Sequence, residues 1–414
     1  MSTDKRFTRT ERALIAVGIL VPSLVLVGTA VNARLNNVPP LVLPQHAMPV
    51  PNAHDTLRVA RAQVVSKLGE AELKPRDPKA VPSLESRKAL LAANATAIAT
   101  VRQALTQEYR QPITYDINQN FPEYAEQREL ARMLAFASKA YAESGNLPEA
   151  ARCATDAMAL GVKIPRGGSL IGMLVGYACE AIGRRALADV APKLDAATLK
   201  ATLTRLDALE PERWPLAETF EVERLWSQKA IRDMAKQSPA EALRSLGYKV
   251  EEGENRWLMW RIFLTSKRQV AETNNRYYAE LIASAKKPYQ NGVGTPSVQQ
   301  QQLDPINELL FPVFAGIQFK EASNHTEANL LRARLALLLT GAPDPRFTDP
   351  FGQDQPLKFK KDGEKYTLYS VGPDGDDDSG RAGVPKEMAL AKRERERILN
   401  ADDEGDLVAG INTY

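Results

Sequence analysis

The spacing of apolar positions divides the chain into three textures. Ala13 to Val31 (ALIAVGILVPSLVLVGTAV) is an uncharged run of nineteen residues. As a helix rising 1.5 Å per residue it is about 28 Å long, close to the ~30 Å hydrocarbon core of a bilayer, and it predicts a transmembrane helix. From about Asp55 to Gly341, apolar residues return every three or four positions, the period of an amphipathic helix. Beyond Gly341, Leu357 and Phe359 alternate with lysines, Tyr366 and Leu368 flank Thr367, and Asp362-Gly363 lies between the two runs. That pattern predicts a β-hairpin. A lone hairpin is marginal in water, so it must pack on something, most simply the preceding helix. The fold expected is therefore mainly α: an N-terminal transmembrane helix at 13–31, a bundle or repeat-like helical body, and a small C-terminal β-hairpin module.

Charge orients the apolar run. Lys5, Arg6, Arg9 and Arg12 precede it and only Arg34 follows closely. By the positive-inside bias, residues 1–12 stay in the cytoplasm and the bulk lies on the periplasmic or extracytoplasmic side of the cell (inner) membrane, held by a single pass. A cleaved signal peptide with Val31-Asn32-Ala33 as its site is the competing possibility, although such apolar regions usually span only about 7–15 residues. Phe7-Thr8-Arg9-Thr10-Glu11 resembles the opening of mature type IV pilins, but Arg6 stands where the processing peptidase needs glycine. Residues 32–54 form a proline-rich spacer, expected to be extended and to lift the body off the lipid, with His46 and His54 facing solvent.

Residues 55–303 are expected to form an α-helical domain. Ser83-Leu84-Glu85-Ser86 opens the run RKALLAANATAIATVRQAL, and Asn146-Leu147-Pro148 starts another helix, with proline tolerated in the first turn. Further helices are predicted over 170–194, 196–209, 214–236, 257–282 and 305–340. Within 131–165, Leu134, Ala137, Ser138 and Tyr141, then Gly145, Ala150, Ala154, Ala157 and Pro165 resemble one tetratricopeptide repeat. The resemblance implies two antiparallel helices nested through small side chains. No second copy is evident, and a generic helical hairpin is the alternative. Trp214, Trp226, Trp257 and Trp260, with Tyr277 and Tyr278, are expected to pack helix against helix. Gln290 to Leu303 is polar and broken by Gly and Pro, and predicts a loop between helical groups.

Composition narrows the function classes. A hydrophobic content of 44 % and a charged content of 25 % allow a real core. A net charge of +3 from 54 basic and 51 acidic residues leaves no basic excess to neutralise phosphates, which argues against a nucleic-acid partner. Cys153 and Cys179 alone cannot build a disulfide scaffold or a cysteine metal site, and both lie in apolar helical stretches that suit buried thiols.

Residues 304–414 form the C-terminal module. The order Asp349-Pro350-Phe351-Gly352, hairpin, Leu368-Tyr369-Ser370-Val371-Gly372-Pro373-Asp374-Gly375, acidic loop, then Asp406-Leu407 resembles the C-terminal end of the major pseudopilin of type II secretion systems, type II secretion system protein G. The resemblance covers about 60 residues and implies a calcium ion in the acidic loop. On that basis Asp374, Glu404 and Asp406 would ligate through carboxylates, and Leu368 and Ser370 through backbone carbonyls. Calcium takes six to eight hard oxygens, and the run of Asp374, Asp376, Asp377 and Asp378 with Asp402, Asp403, Glu404 and Asp406 supplies many. The chain departs from the family by inserting a charged stretch, 381–400, between the acidic clusters. It either loops out or carries the second cluster away. An EF-hand fails, because counting from Asp374 the sixth position is Ser379 and the twelfth Pro385.

Neither H-E-x-x-H nor G-x-S-x-G nor a phosphate-cradling glycine loop occurs. His325 lies in Ser-Asn-His-Thr ahead of a helix and is expected at the surface or beside a cap. The function expected is a non-enzymatic, membrane-anchored envelope protein with a helical protein-binding surface and a pseudopilin-like, calcium-stabilised tail. One alternative is a component of a type II secretion or pilus-like assembly. Another is an envelope hydrolase using Glu218, Glu221 and Glu223.

Overall fold

The computed structural model describes residues 26–31, 33–65, 83–245, 256–290, 303–311, 316–363, 365–383, 403–411 and 413. These residues form a mainly helical structure with two small antiparallel sheets. In chain order the α-helices are α1 (Ala53–Ala62), α2 (Leu84–Ala93), α3 (Ala95–Leu105), α4 (Glu123–Glu143), α5 (Leu147–Lys163), α6 (Leu170–Val190), α7 (Ala196–Leu209), α8 (Leu216–Met234), α9 (Pro239–Ser245), α10 (Arg256–Leu264), α11 (Lys267–Ala285), α12 (Pro305–Leu310) and α13 (Ile317–Thr340). Among the described residues no helix is long and apolar enough to cross a membrane. Of the apolar run 13–31, only 26–31 are described, and they are helical.

Local chemistry sets many of the helix ends. Asn146 Oδ1 accepts the Glu149 N–H at the start of α5, with Pro148 in the first turn. Asp195 caps α7 by accepting from Thr198 N–H at 2.7 Å. The run opened by Ser83 is two helices, because Asn94 leaves helical geometry and its side-chain amide donates to the Leu90 carbonyl. Likewise 257–282 is broken at Ser266, which caps α11, and 305–340 divides into α12 and α13.

Small residues let the central pair α5 and α6 approach closely. A Cβ at Gly176 would lie 2.6 Å from the Gly161 carbonyl oxygen, and one at Gly183 would lie 2.7 Å from that of Ala154. Gly161 and Ala154 of α5 thus meet Gly176 and Gly183 of α6 at backbone distance. Cys153 and Cys179, both unpaired thiols, are buried in the cluster made by α1, α3, α4, α5 and α6. Burial pushes each thiol up to about 12.

A fixed ion network joins α6, α13 and the short 3₁₀ turn Glu210–Glu212. Glu180, 2 % exposed, accepts two hydrogen bonds from Arg213, at 2.9 and 2.7 Å, and a third from Asn324. Arg184 donates to Asn324 and to Glu327, both at 2.7 Å. Burial raises the Glu180 carboxyl, but Arg213, its hydrogen bonds and Arg184 outweigh burial and leave it below the usual carboxylate range. His325 lies within α13 beside this network rather than ahead of a helix. Burial and then Arg213 lower it to about 4, so it is neutral near pH 7.

Three other expectations change. His54 lies in α1, 5 % exposed, with its ring against Tyr109 and Nδ1 2.9 Å from Asp55; helix packing, not solvent, sets its environment. The spacer does not stand clear of the body: Arg232 Nε donates to the Pro39 carbonyl at 2.8 Å, and Val38 packs against the α8–α12 cluster. Of the four tryptophans, Trp214 and Trp226 pack partly buried, but Trp257 and Trp260 are exposed because they occupy the outward side of α10. The predicted loop at 290–303 lies mostly outside the described residues.

The C-terminal strands are β1 (Thr348–Asp349), β2 (Gln355–Pro356), β3 (Lys358–Asp362), β4 (Lys365–Ser370) and β5 (Leu407–Val408). The predicted hairpin is β3–β4, in register from Lys358↔Tyr369 to Asp362↔Lys365, and β5 adds antiparallel to β4. The module is not a free appendage. Phe347, Phe351, Leu357, Leu368, Val371 and Leu407 share one core with Leu330, Leu331 and Leu335 of α13 and with Met158, Leu187 and Leu206 of the helical body.

Candidate functional site

The site is built where β4 ends and the acidic loop begins. Asp349, 1 % exposed at the end of β1, is its hub. Its Oδ1 accepts from Phe351 N–H at 3.1 Å and from the Ser370 hydroxyl at 2.7 Å, and its Oδ2 accepts from Val371 N–H at 2.9 Å. One carboxylate thereby ties the Asp-Pro-Phe-Gly turn to Ser370 at the end of β4 and to Val371 just after it. Gly352 fits because a Cβ there would lie 3.1 Å from that carboxylate. Gly372 is required twice over: its φ is +73°, and a Cβ would lie 2.2 Å from the Gly405 carbonyl oxygen.

The second acidic cluster closes onto the first. Gly405 N–H donates to Asp374 Oδ2 at 2.8 Å. Asp406 N–H donates to the Arg381 carbonyl, and Gly383 N–H to the Asp406 carbonyl, each at 3.0 Å, a parallel bridge pairing Ala382 with Asp406. The Asp406 carboxylate, fully buried, accepts from Gly380 N–H at 2.7 Å and from Asp378 N–H at 3.4 Å. The insertion therefore leaves and returns at paired backbone, and of the residues between the clusters 384–402 lie outside the described residues. Burial raises the Asp406 carboxyl to about 6; Asp377 and Asp378 add to the rise, while the two N–H donors oppose it. Asp377 itself, bonded to Lys358 and Ser379, lies below the usual range.

Of the five residues expected to ligate calcium, Asp374 and Asp406 are brought to one end of the sheet. Glu404 is exposed beside them. The Leu368 carbonyl accepts from Ala409 N–H, and Ser370 pairs with Leu407 across β4 and β5. Among the described residues no three acidic, histidine or cysteine side chains converge on a point where an ion would sit. A shell would thus have to combine the Asp374 and Asp406 carboxylates with backbone carbonyls and water. The flanking Asp377 and Asp378 are already paired with Lys358 and Arg381, so the carboxylates left for a hard divalent cation are Asp374 and the desolvated Asp406.

Sequence reasoning missed Asp349 as the hub. Its signal was present, since an aspartate before Pro-Phe-Gly is placed to accept N–H groups from its own turn. The three glutamates of α8 do not form a site together. Glu223 accepts the Leu170 N–H at 2.6 Å, Glu221 pairs with Arg224, and Glu218 is exposed. Compared with protein-family models, with curated proteins and with solved structures, the chain matches none of them.

Proposed function

We propose that this chain is a non-enzymatic envelope protein, tethered by residues 13–31, that works by binding other proteins and carries a pseudopilin-like module stabilised by calcium. The observation that supports it best is the Asp349–Ser370–Val371 and Asp374–Gly405, Asp406–Gly380 set of hydrogen bonds. The residues whose order resembles the pseudopilin tail are also the ones that hold each other in place. The helical body between the tether and this module disfavours the filament alternative, in which both elements lie close together. The divergence of Glu218, Glu221 and Glu223 disfavours the hydrolase.

Thermal unfolding and limited trypsin digestion of the full chain, with calcium, magnesium or chelator, test the calcium part. An ion present at about 100 times its Kd stabilises the folded form by about 2.7 kcal/mol. The transition involving 341–414 should rise by several degrees with calcium and become trypsin-resistant, and D406N should lose the effect. An unchanged melting curve and digestion pattern with calcium would remove the ion from the proposal.

A further inference from the structure

Helix α10 has two different sides. Ile262 is buried, and Leu258 and Met259 pack on the same cluster, whereas Trp257, Trp260 and Leu264 are 76 %, 58 % and 64 % exposed. The exposed three recur at i, i+3 and i+7 and so share one stripe. Two large indoles and a leucine on a single outward stripe form an apolar patch of the kind that marks an interaction surface.

The path of the N-terminal segment says what covers it. Val38 packs against the cluster that holds Leu258 and Met259, and the Pro39 carbonyl accepts from Arg232 Nε. Val38 lies seven residue steps beyond Val31. At no more than ~3.6 Å per residue they span at most about 25 Å, and less here because 33–36 are helical. A span ending at Val31 would hold Val38 within that distance of the lipid, and with Val38 the cluster on which α10 also packs. The open groove of about 380 Å³ between the spacer and α8 is lined by Lys229, Arg232 and Lys236 against one acid, Asp233. Indoles on one helix of this cluster and cations at the end of another are the composition of a surface seated at the headgroup level.

We infer that the Trp257–Trp260–Leu264 stripe of α10 docks on the surface of the bilayer that anchors the chain, with phospholipid as its partner. This rests on 13–31 being a membrane span. The full chain is reconstituted into phosphatidylcholine–phosphatidylserine vesicles, with brominated phosphatidylcholine replacing the plain lipid in a second set. W257F/W260F isolates the exposed pair from Trp214 and Trp226 without touching the core. Co-flotation is expected, with bromolipid removing about half or more of the emission difference between wild type and W257F/W260F, as for indoles at the headgroup–acyl boundary. A chain that floats but whose pair is unquenched overturns this inference alone. A chain that does not float overturns the anchor and the inference with it. A pair shielded from aqueous acrylamide yet untouched by bromolipid assigns the stripe to a protein partner and also overturns it.

Discussion

Replacing Asp349 with alanine tests the hub directly. The substitution removes the acceptor for Val371 N–H at 2.9 Å, Phe351 N–H at 3.1 Å and the Ser370 hydroxyl at 2.7 Å. Ser370 Oγ also accepts from Gly372 N–H at 3.2 Å and its proton can turn elsewhere, so the two backbone donors carry the loss. A buried donor left without an acceptor costs about 1–3 kcal/mol, so two would cost about 2–6 kcal/mol, and water entering the vacated space holds D349A to the lower part of that range, about 2–4 kcal/mol. At about 1.4 kcal/mol per decade, the amides of Phe351 and Val371 should exchange about 30- to 1,000-fold faster in hydrogen-exchange mass spectrometry. Asparagine keeps one oxygen but turns an NH₂ toward one of the donors, so D349N should fall between wild type and D349A or match the latter. Exchange at Val371 within about threefold of wild type in D349A would refute the hub, because the amide would then owe its protection to something other than this carboxylate.

Three further outcomes follow from the same geometry. R213A strips Glu180 of its main partner in a buried setting and should cost about 3–5 kcal/mol in urea unfolding, most of it recovered in E180Q/R213M; a double variant no more stable than R213A contradicts the account. G176A drives a Cβ to 2.6 Å from the Gly161 carbonyl oxygen and 2.8 Å from Pro165 Cγ, so it should destabilise by about 1–3 kcal/mol, and an unaltered melting temperature would show that α5 and α6 part freely. Asp406, raised from 3.8 to about 6, contributes stability that is present below its ordinary value and lost as pH rises through about 6. Protease resistance of the module should therefore increase from pH 7.5 to pH 5 in wild type relative to D406N, and parallel pH profiles would count against a desolvated Asp406.

The parts of the fold that were legible are those with local causes. Asn146 before Leu-Pro and Asp195 before Ala-Ala-Thr each offer a side-chain oxygen to a first-turn N–H, so their helices begin where the residues say. Asp362-Gly363 between alternating runs likewise makes its turn, with Gly363 at φ +60°. Misjudged features had causes distant in the chain. His54 is buried by Tyr109 and Glu123, Trp257 and Trp260 face outward because Ile262 was chosen for the core, and the spacer lies down because α8 presents Arg232 to it.

At the candidate site the pseudopilin resemblance implied one ligand set containing Asp374, Glu404 and Asp406, and the structure brings Asp374 and Asp406 to one end of the sheet. Whether the inserted stretch would separate the two clusters was not readable, since the answer lies in the Ala382–Asp406 bridge, a pairing between residues far apart in sequence. Periodicity and capping are properties of a few consecutive residues and survive in the chain read by itself. Which face of a helix is covered, and which carboxylate is desolvated, depend on surfaces contributed by other elements, and these exist only once the helices have packed.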